Sequence, residues 1–196
     1  METEHGSVQA VDDVVVRQFA RAALLAALIG VGAQIAFPNP FSPAPVTLQV
    51  LFVFLAGIVL GPVWGSVSMV LYLAAGAVGA PVFAAFTAGP GVLLGDSGGY
   101  LWAYPIAAGL IGLLVHRGRD LRDPATVSTP VLVAALVAGT AVIYAMGVGY
   151  MAWLFELGLV EAILVGAVPF IPFELLKMAA ALAIVKSGRI TPVGAR

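Results

Sequence analysis

The sequence lacks cysteine and has few charged residues. With no cysteine among 196 residues, disulfides and thiolate chemistry are excluded. Histidine is also rare: His5 and His116 are the only two, which argues against a metal site. Charged residues make up 10% of the chain, whereas soluble domains carry about a quarter. Because 61% of the residues are hydrophobic, the composition predicts an integral membrane protein without a soluble domain.

Sequence motifs for nucleotide hydrolysis and for catalysis are absent as well. No GxxxxGK[ST] motif occurs, so we do not expect this chain to hydrolyse ATP. No nucleophile, base and orienting group come together in its motifs, which disfavours a membrane enzyme. The formal net charge of −1 gives no reason to expect binding of nucleic acid. No cofactor is expected.

Long apolar runs separated by proline, glycine and charged residues predict an all-α bundle of six transmembrane helices. We expect the first run to be a helix rather than a cleaved signal peptide, because a polar, acidic stretch precedes it. The chain then divides into a polar tail (1–16), a single membrane domain (17–188) and a second tail (189–196). The predicted helices cover residues 19–37, 46–60, 63–79, 100–115, 131–153 and 172–186.

Two connections differ from short polar turns. Residues 81–99 contain irregularly spaced glycines and prolines, which predict a long Gly-rich outer loop, partly embedded in the membrane, between helices 3 and 4. Residues 155–168 form an apolar run that is short and carries Glu156 and Glu161, which indicates an interfacial or re-entrant segment.

The basic residues fall on one side of this predicted topology. Excess Lys and Arg mark cytoplasmic loops, so both termini are expected in the cytoplasm of a multi-pass cell-membrane protein. Lys177 is the one basic residue that does not fit, because it lies inside predicted helix 6. The residues that define the cytoplasmic side are Arg17, Arg21, Arg117, Arg119, Arg122, Lys186, Arg189 and Arg196.

Lys177 has a candidate partner in Glu174, three residues earlier on the same helical face. A charge inside a spanning helix costs about 2.5 to 3.5 kcal/mol unless another group offsets it. One interpretation is a pair that satisfies itself within the bundle. The other is a pair facing a cavity open to the outside, where it binds a ligand having N–H and C=O groups side by side.

Other features allow both structural and functional interpretations. Thr47 and Gln49 begin helix 2 beside an outer loop and are either hydrated or part of a site. Small residues recur every four positions in helix 1 at Ala22, Ala26 and Gly30, with Ala23 and Ala27 beside them, which lets another helix approach closely. The spacing does not say whether that helix belongs to this chain or to a partner.

The combination of three sequence blocks resembles the BioY family, the biotin-capturing S components of energy-coupling-factor (ECF) transporters. The blocks begin "PVTLQVLFVFLAGIVLG", "GVLLGDSGGYLWAYP" and "PFIPFELLKMAAALA". The sequence departs from the family pattern in having Asp96 and Ser97 where Pro and Thr are usual. It likewise has Phe173 and Glu174 where Gly and Asp are usual.

The resemblance implies a six-helix bundle in the lipid bilayer of the cell membrane, with an outward-facing cavity for biotin, the transported substrate. It further implies energising partners, namely a transmembrane coupling protein and paired cytoplasmic ATPases, although some members are held to function without them. An S component for another vitamin, or a stand-alone small-solute permease, remains the alternative. By position, the implied biotin contacts are Thr47, Gln49, Gly98, Gly99, Tyr100, Glu174 and Lys177, and the implied docking surface comprises Ala22, Ala23, Ala26 and Ala27.

Overall fold

The computed structural model describes residues 5–118 and 120–188, with the backbone alone for residues 5–12. The described chain is an α-helical bundle with one two-stranded hairpin. Its main elements are α1 (His5–Gln34), β1 (Ala36–Phe37), β2 (Val46–Thr47), α2 (Gln49–Ala77), α3 (Pro90–Leu93), α4 (Gly98–His116), α5 (Thr129–Leu154), α6 (Leu159–Gly166) and α7 (Ile171–Lys186).

Helix α1 is longer than predicted. It begins at His5, so the segment predicted as a polar tail continues the first spanning helix. No proline interrupts the chain before Pro38, and a few acidic residues do not by themselves end a helix. Residues 1–4 and the predicted tail 189–196 lie outside the described residues, as does Arg119.

Helix α2 reverses direction at Gly61 and therefore supplies two of the six predicted helices. Gly61 has φ +75° and ψ −172°, and Pro62 follows as the first residue of the second arm. The Gln49 side chain donates a hydrogen bond to the hydroxyl of Tyr72. In a straight helix these residues would lie roughly 35 Å apart, at about 1.5 Å per residue. The first arm (49–60) and second arm (62–77) thus form an antiparallel pair.

Five helical stretches are long and apolar enough to cross a membrane. One of them is α2, whose two arms count as two spans, and another is Leu159–Lys186, which combines α6 and α7. The described chain thus has six candidate spans, which confirms the predicted all-α membrane bundle. Large apolar side chains remain exposed on the outside of the bundle, as expected for contact with lipid. Among them are Leu24, Val31, Val137, Leu175 and Leu176.

Glycines let α4 pack closely against both arms of α2. A Cβ at Gly57 would lie 2.6 Å from the carbonyl oxygen of Ala108, and one at Gly112 would lie 2.4 Å from the carbonyl carbon of Gly61. Larger side chains at either position would separate the helices. On its other side α4 packs against α5, so α4 is central in the bundle.

His116, at the end of α4, connects this helix to α2 and to the following loop. Its Nδ1 accepts a hydrogen bond from the Arg122 amide at 3.0 Å, so Nε2 carries the proton and donates to the Ile58 carbonyl at 2.9 Å. The side chain is fully buried. The histidine therefore has a structural role, with both ring nitrogens occupied by backbone groups.

At the opposite end, which we call the loop end, lie the β1–β2 hairpin and the long 81–99 connection. The Pro-rich residues 38–45 connect the two strands of this hairpin, in which Ala36 pairs with Thr47 and Phe37 with Val46. The 81–99 connection is largely irregular, as predicted, apart from a 3₁₀ turn at Ala84–Phe86 and the short α3. The predicted interfacial segment at 155–168 contains α6, which leads through a 3₁₀ turn into α7.

Candidate functional site

The loop end encloses a cavity of about 420 Å³. This volume falls in the usual range for small-molecule sites, about 300 to 1,000 Å³. The cavity is mainly apolar with a few polar groups. Its walls come from the starts of α2, α4 and α7, from the second half of α5, and from the 83–97 segment; five of the predicted contact residues line it, namely Thr47, Gln49, Tyr100, Glu174 and Lys177.

Glu174 and Lys177 form a buried ion pair at the cavity wall. The Lys177 Nζ donates to the Glu174 Oε1 at 2.7 Å, and the side chains are 6% and 5% exposed. Proline in the first turn of α7 starts the helix, and the three-residue spacing puts both groups on its inner face. Within the described chain the second carboxylate oxygen, Oε2, is buried and makes no hydrogen bond of acceptable distance and angle, although the Tyr144 side chain lies beside the carboxylate. An unpaired buried acceptor is costly, which indicates a place for a donor.

Thr47 and Gln49 belong to a chain of hydrogen bonds that all run in one direction. The Thr47 hydroxyl donates to the Gln49 Oε1 at 2.8 Å, and the Gln49 Nε2 donates to the Tyr72 hydroxyl. Tyr72 in turn donates to the Val82 carbonyl at 3.3 Å. This fixes the orientation of the Gln49 amide and leaves its second N–H available to the cavity. Tyr72 is 1% exposed and does not line the cavity, so it acts through Gln49.

Gly98 and Gly99 do not line the cavity, in contrast to the expectation from the resemblance. A Cβ on Gly98 would lie 2.3 Å from the Leu93 carbonyl oxygen, and one on Gly99 would lie 2.4 Å from the Tyr150 Cβ. Their role in this structure is to let the start of α4 pack against α3 and α5. Tyr100, the third residue of that motif, does line the cavity, and its hydroxyl donates to the Gly166 carbonyl at 2.7 Å.

Aromatic side chains that the sequence did not single out complete the cavity wall. Tyr100 and Tyr144 meet edge to face, with ring centroids 6.1 Å apart, and Tyr144 and Phe170 are 6.4 Å apart. Tyr104 and Phe83 also line the cavity. These residues come from four separate segments. The only sequence signal was the occurrence of hydroxyl-bearing aromatics within apolar spans, which does not reveal the direction of the side chains.

The rim of the cavity is the segment 83–87, which has a strained backbone and is hydrogen-bonded to α1. Ala85 and Phe86 both have positive φ, at 55° and 57°, although neither is glycine. The Gln34 side chain donates to the Phe83 carbonyl at 3.0 Å and accepts from the Phe86 amide at 2.8 Å. Ala84, Ala85 and Thr87 line the cavity, so Gln34 supports its edge from outside.

The predicted docking surface on α1 is only partly available. Ala22 and Ala26 are 0% and 9% exposed, and the Ala22 carbonyl accepts a hydrogen bond from Ser68 at 2.8 Å. Both alanines are therefore buried within this chain, Ala22 against the second arm of α2, and neither is available to a partner in this structure. Ala27 is exposed and Ala23 is half-buried, so docking at these two positions stays a prediction.

Phe173, one of the departures from the family pattern, lies outside the cavity. It is 42% exposed and lines a separate apolar cleft of about 240 Å³ with Leu176 and Ala180. The cleft and the cavity share Thr47 and Lys177 as a common wall. The bulk of Phe173 therefore does not reduce the space for a ligand.

These features define a multi-pass helical membrane protein with a cavity for a small molecule at one end. Comparison with known proteins identifies the group more closely. The BioY family model matches residues 3–192, and the chain belongs to the BioY family. The family predicted from the sequence motifs is thus confirmed, and membership makes the chain a transport protein rather than an enzyme.

Individual relatives agree with this assignment. The chain is 41% identical to "Biotin transporter BioY" of Thermotoga maritima, covering 84% of this chain and 91% of the relative. It is 40% identical to "Probable biotin transporter BioY" of Pyrococcus horikoshii, covering 83% and 90%. A crystal structure described as the S-component for biotin from an ECF-type ABC transporter superimposes with a TM-score of 0.80 at 26% identity, covering 90% of this chain and 93% of that one.

Proposed function

We propose that this chain captures biotin as the substrate-binding S component of an ECF-type transporter. The observation that carries the proposal is the buried Glu174–Lys177 pair in a cavity of suitable volume, within a chain of the BioY family. Biotin is the cargo, and the proposal requires no resident cofactor.

The chemistry of the cavity fits the ureido ring of biotin, which has N–H and C=O groups side by side. Glu174 accepts a ureido N–H through Oε2, which has no hydrogen-bond partner in the described chain. Lys177 donates to a biotin oxygen and keeps its ion pair with Glu174. The second N–H of the Gln49 amide is a further donor at the wall, and Tyr100, Tyr144 and Phe170 cover the apolar parts of the ligand.

The orientation that suits this function has the loop end facing outside and both termini in the cytoplasm. The skewed distribution of basic residues supports it. Arg117 and Arg122 lie between α4 and α5, and Lys186 ends α7, all at the end opposite the cavity. In this orientation the cavity collects biotin from outside the cell.

The energy for uptake comes from partner subunits in this proposal. The chain has no ATPase motif, so a transmembrane coupling protein and paired cytoplasmic ATPases would drive release of biotin inward. Ala23 and Ala27 on α1 are the candidate docking positions for the coupling protein, because α1 is a peripheral helix with a lipid-facing side.

Ligand titration of the purified chain in detergent tests the proposal. Biotin is compared with a panel of other vitamins, using wild-type protein and a Phe173→Leu variant as the matched control on α7. We expect tight 1:1 binding of biotin alone, unchanged by the control substitution, because Phe173 lies outside the cavity. If the folded protein binds another vitamin selectively, that vitamin and not biotin is the substrate.

A further inference from the structure

The charged side chains of the cavity do not balance. Within the described chain its lining includes three charged side chains, Asp96, Glu174 and Lys177. Glu174 and Lys177 neutralise each other at 2.7 Å. The carboxylate of Asp96 is left, so the lining carries one net negative charge.

Asp96 lies at the loop end, before the first residue of α4, whereas Lys177 lies six residues into α7. Asp96 is half-buried and comes two residues before the start of α4, whose Tyr100 and Tyr104 line the cavity farther in. From Gly98, the first residue of α4, to Tyr104 the helix advances roughly 9 Å, at about 1.5 Å per residue. Tyr104 lies near Glu174 in the cavity wall. Because Asp96 and the ion pair line the same cavity, a ligand with one end on the ion pair can reach Asp96 with its other end.

Two backbone amides beside Asp96 already have hydrogen-bond partners. The amides at the start of a helix are ordinarily a good site for an anion. Here the Ser97 amide already donates to the Asp96 Oδ1 at 2.8 Å, and the Gly98 amide donates to the Gly95 carbonyl at 2.9 Å. A carboxylate arriving at this point would meet a like charge and two amides that are already occupied.

We propose that Asp96 is a specificity-determining residue that makes the cavity prefer ligands whose tail carboxyl group is masked as an amide over those with a free carboxylate. The inference rests on the proposed function, since it assumes that the biotin ring system lies at Glu174 and Lys177. The substrate class is then amide-linked biotin derivatives in addition to free biotin. Repulsion between two like charges in a partly hydrated site is expected to give about a 3- to 10-fold difference in affinity.

The test compares biotin with biotinamide, which is uncharged and otherwise the same ligand. Both are titrated into detergent-purified wild type, Asp96→Asn and a control, Glu161→Gln, which removes an exposed acid on α6 outside the cavity. Asp96→Glu, which keeps the charge, is titrated as well, and Asp96→Ser is the substitute if the Asn variant does not fold.

We expect wild type and Asp96→Glu to bind biotinamide about 3- to 10-fold more tightly than biotin. Asp96→Asn should raise the affinity for biotin by that factor and leave biotinamide within about twofold, while Glu161→Gln changes neither. Equal effects of Asp96→Asn on the two ligands, or no effect on either, would overturn the role of Asp96. If wild type binds neither ligand, the proposed function itself fails, an outcome distinct from loss of discrimination alone.

Discussion

The Gln49 side chain donates a hydrogen bond to the hydroxyl of Tyr72 across the two arms of α2, although 23 residues separate them in sequence. One partner lines the cavity and the other is buried behind it. Tyr72 also donates to Val82 in the long outer connection. A single hydroxyl therefore ties the orientation of a ligand-facing amide to the segment that forms the rim.

Removing this hydroxyl with Tyr72→Phe should weaken biotin binding by roughly 10-fold, about 1.4 kcal/mol. The Gln49 amide loses the acceptor that fixes its orientation, while the buried ring is kept. Titration calorimetry measures the affinity, and Tyr150→Phe is the matched control, because the Tyr150 hydroxyl donates to Leu94 and does not line the cavity. Equal losses in both variants would show that Tyr72 has no specific positioning role.

The Glu174–Lys177 pair should show non-additive effects on stability. Lys177→Met leaves a buried carboxylate without its counter-charge, and breaking such a pair costs about 3 to 5 kcal/mol. The double variant Glu174→Gln/Lys177→Met should recover most of the thermal stability but should not recover biotin binding. Thermal unfolding in detergent and titration calorimetry separate these quantities. Recovery of binding in the double variant would mean that the charges serve only folding.

Gly99 should be intolerant of a methyl group for structural reasons. Gly99→Ala places a Cβ 2.4 Å from the Tyr150 Cβ and 2.7 Å from the Met146 carbonyl oxygen, so α4 and α5 must move apart. We expect a loss of about 1 to 3 kcal/mol in the free energy of unfolding. Gly149→Ala is the control, because a Cβ there meets no atom within 4 Å and alanine favours the helix. Similar stabilities of the two variants would contradict the close packing at Gly99.

Substitutions at two alanines on α1 should distinguish an effect on partner docking from an effect on folding. Ala27→Trp adds bulk on an exposed position and should abolish biotin uptake by cells that contain the coupling module, without changing biotin binding. Ala22→Leu overpacks a fully buried position and should lower the free energy of unfolding by about 1 to 3 kcal/mol. Normal uptake with Ala27→Trp would remove this face from the docking surface.

The sequence predicted the helices and the ion pair because those features are local. Uninterrupted apolar runs define the spans, Gly61 and Pro62 mark the reversal within α2, and a three-residue spacing places Glu174 and Lys177 on one face. The start of α1 was missed because polar residues do not by themselves end a helix.

The positions of the other site residues depend on long-range packing, which the sequence alone could not predict. The small residues in helix 1 predicted a close helix contact, but only the structure shows that Ala22 faces α2 of the same chain. Gly98 and Gly99 would allow either a ligand or a neighbouring helix to come close. The positions of Leu93 and Tyr150 show that neighbouring helices occupy this space. Tyr144 reaches the cavity from α5, which no pattern within that helix indicates.

The most direct test of the central claim is a biotin titration of the purified chain alone, with wild type and Lys177→Ala measured side by side. The expected result is tight, stoichiometric binding by wild type and at least a 100-fold weaker affinity in the variant, about 2.8 kcal/mol. Both proteins must show a cooperative thermal transition, so that lost binding is not lost folding. Wild-type affinity in a folded Lys177→Ala protein would contradict a ligand site at the ion pair.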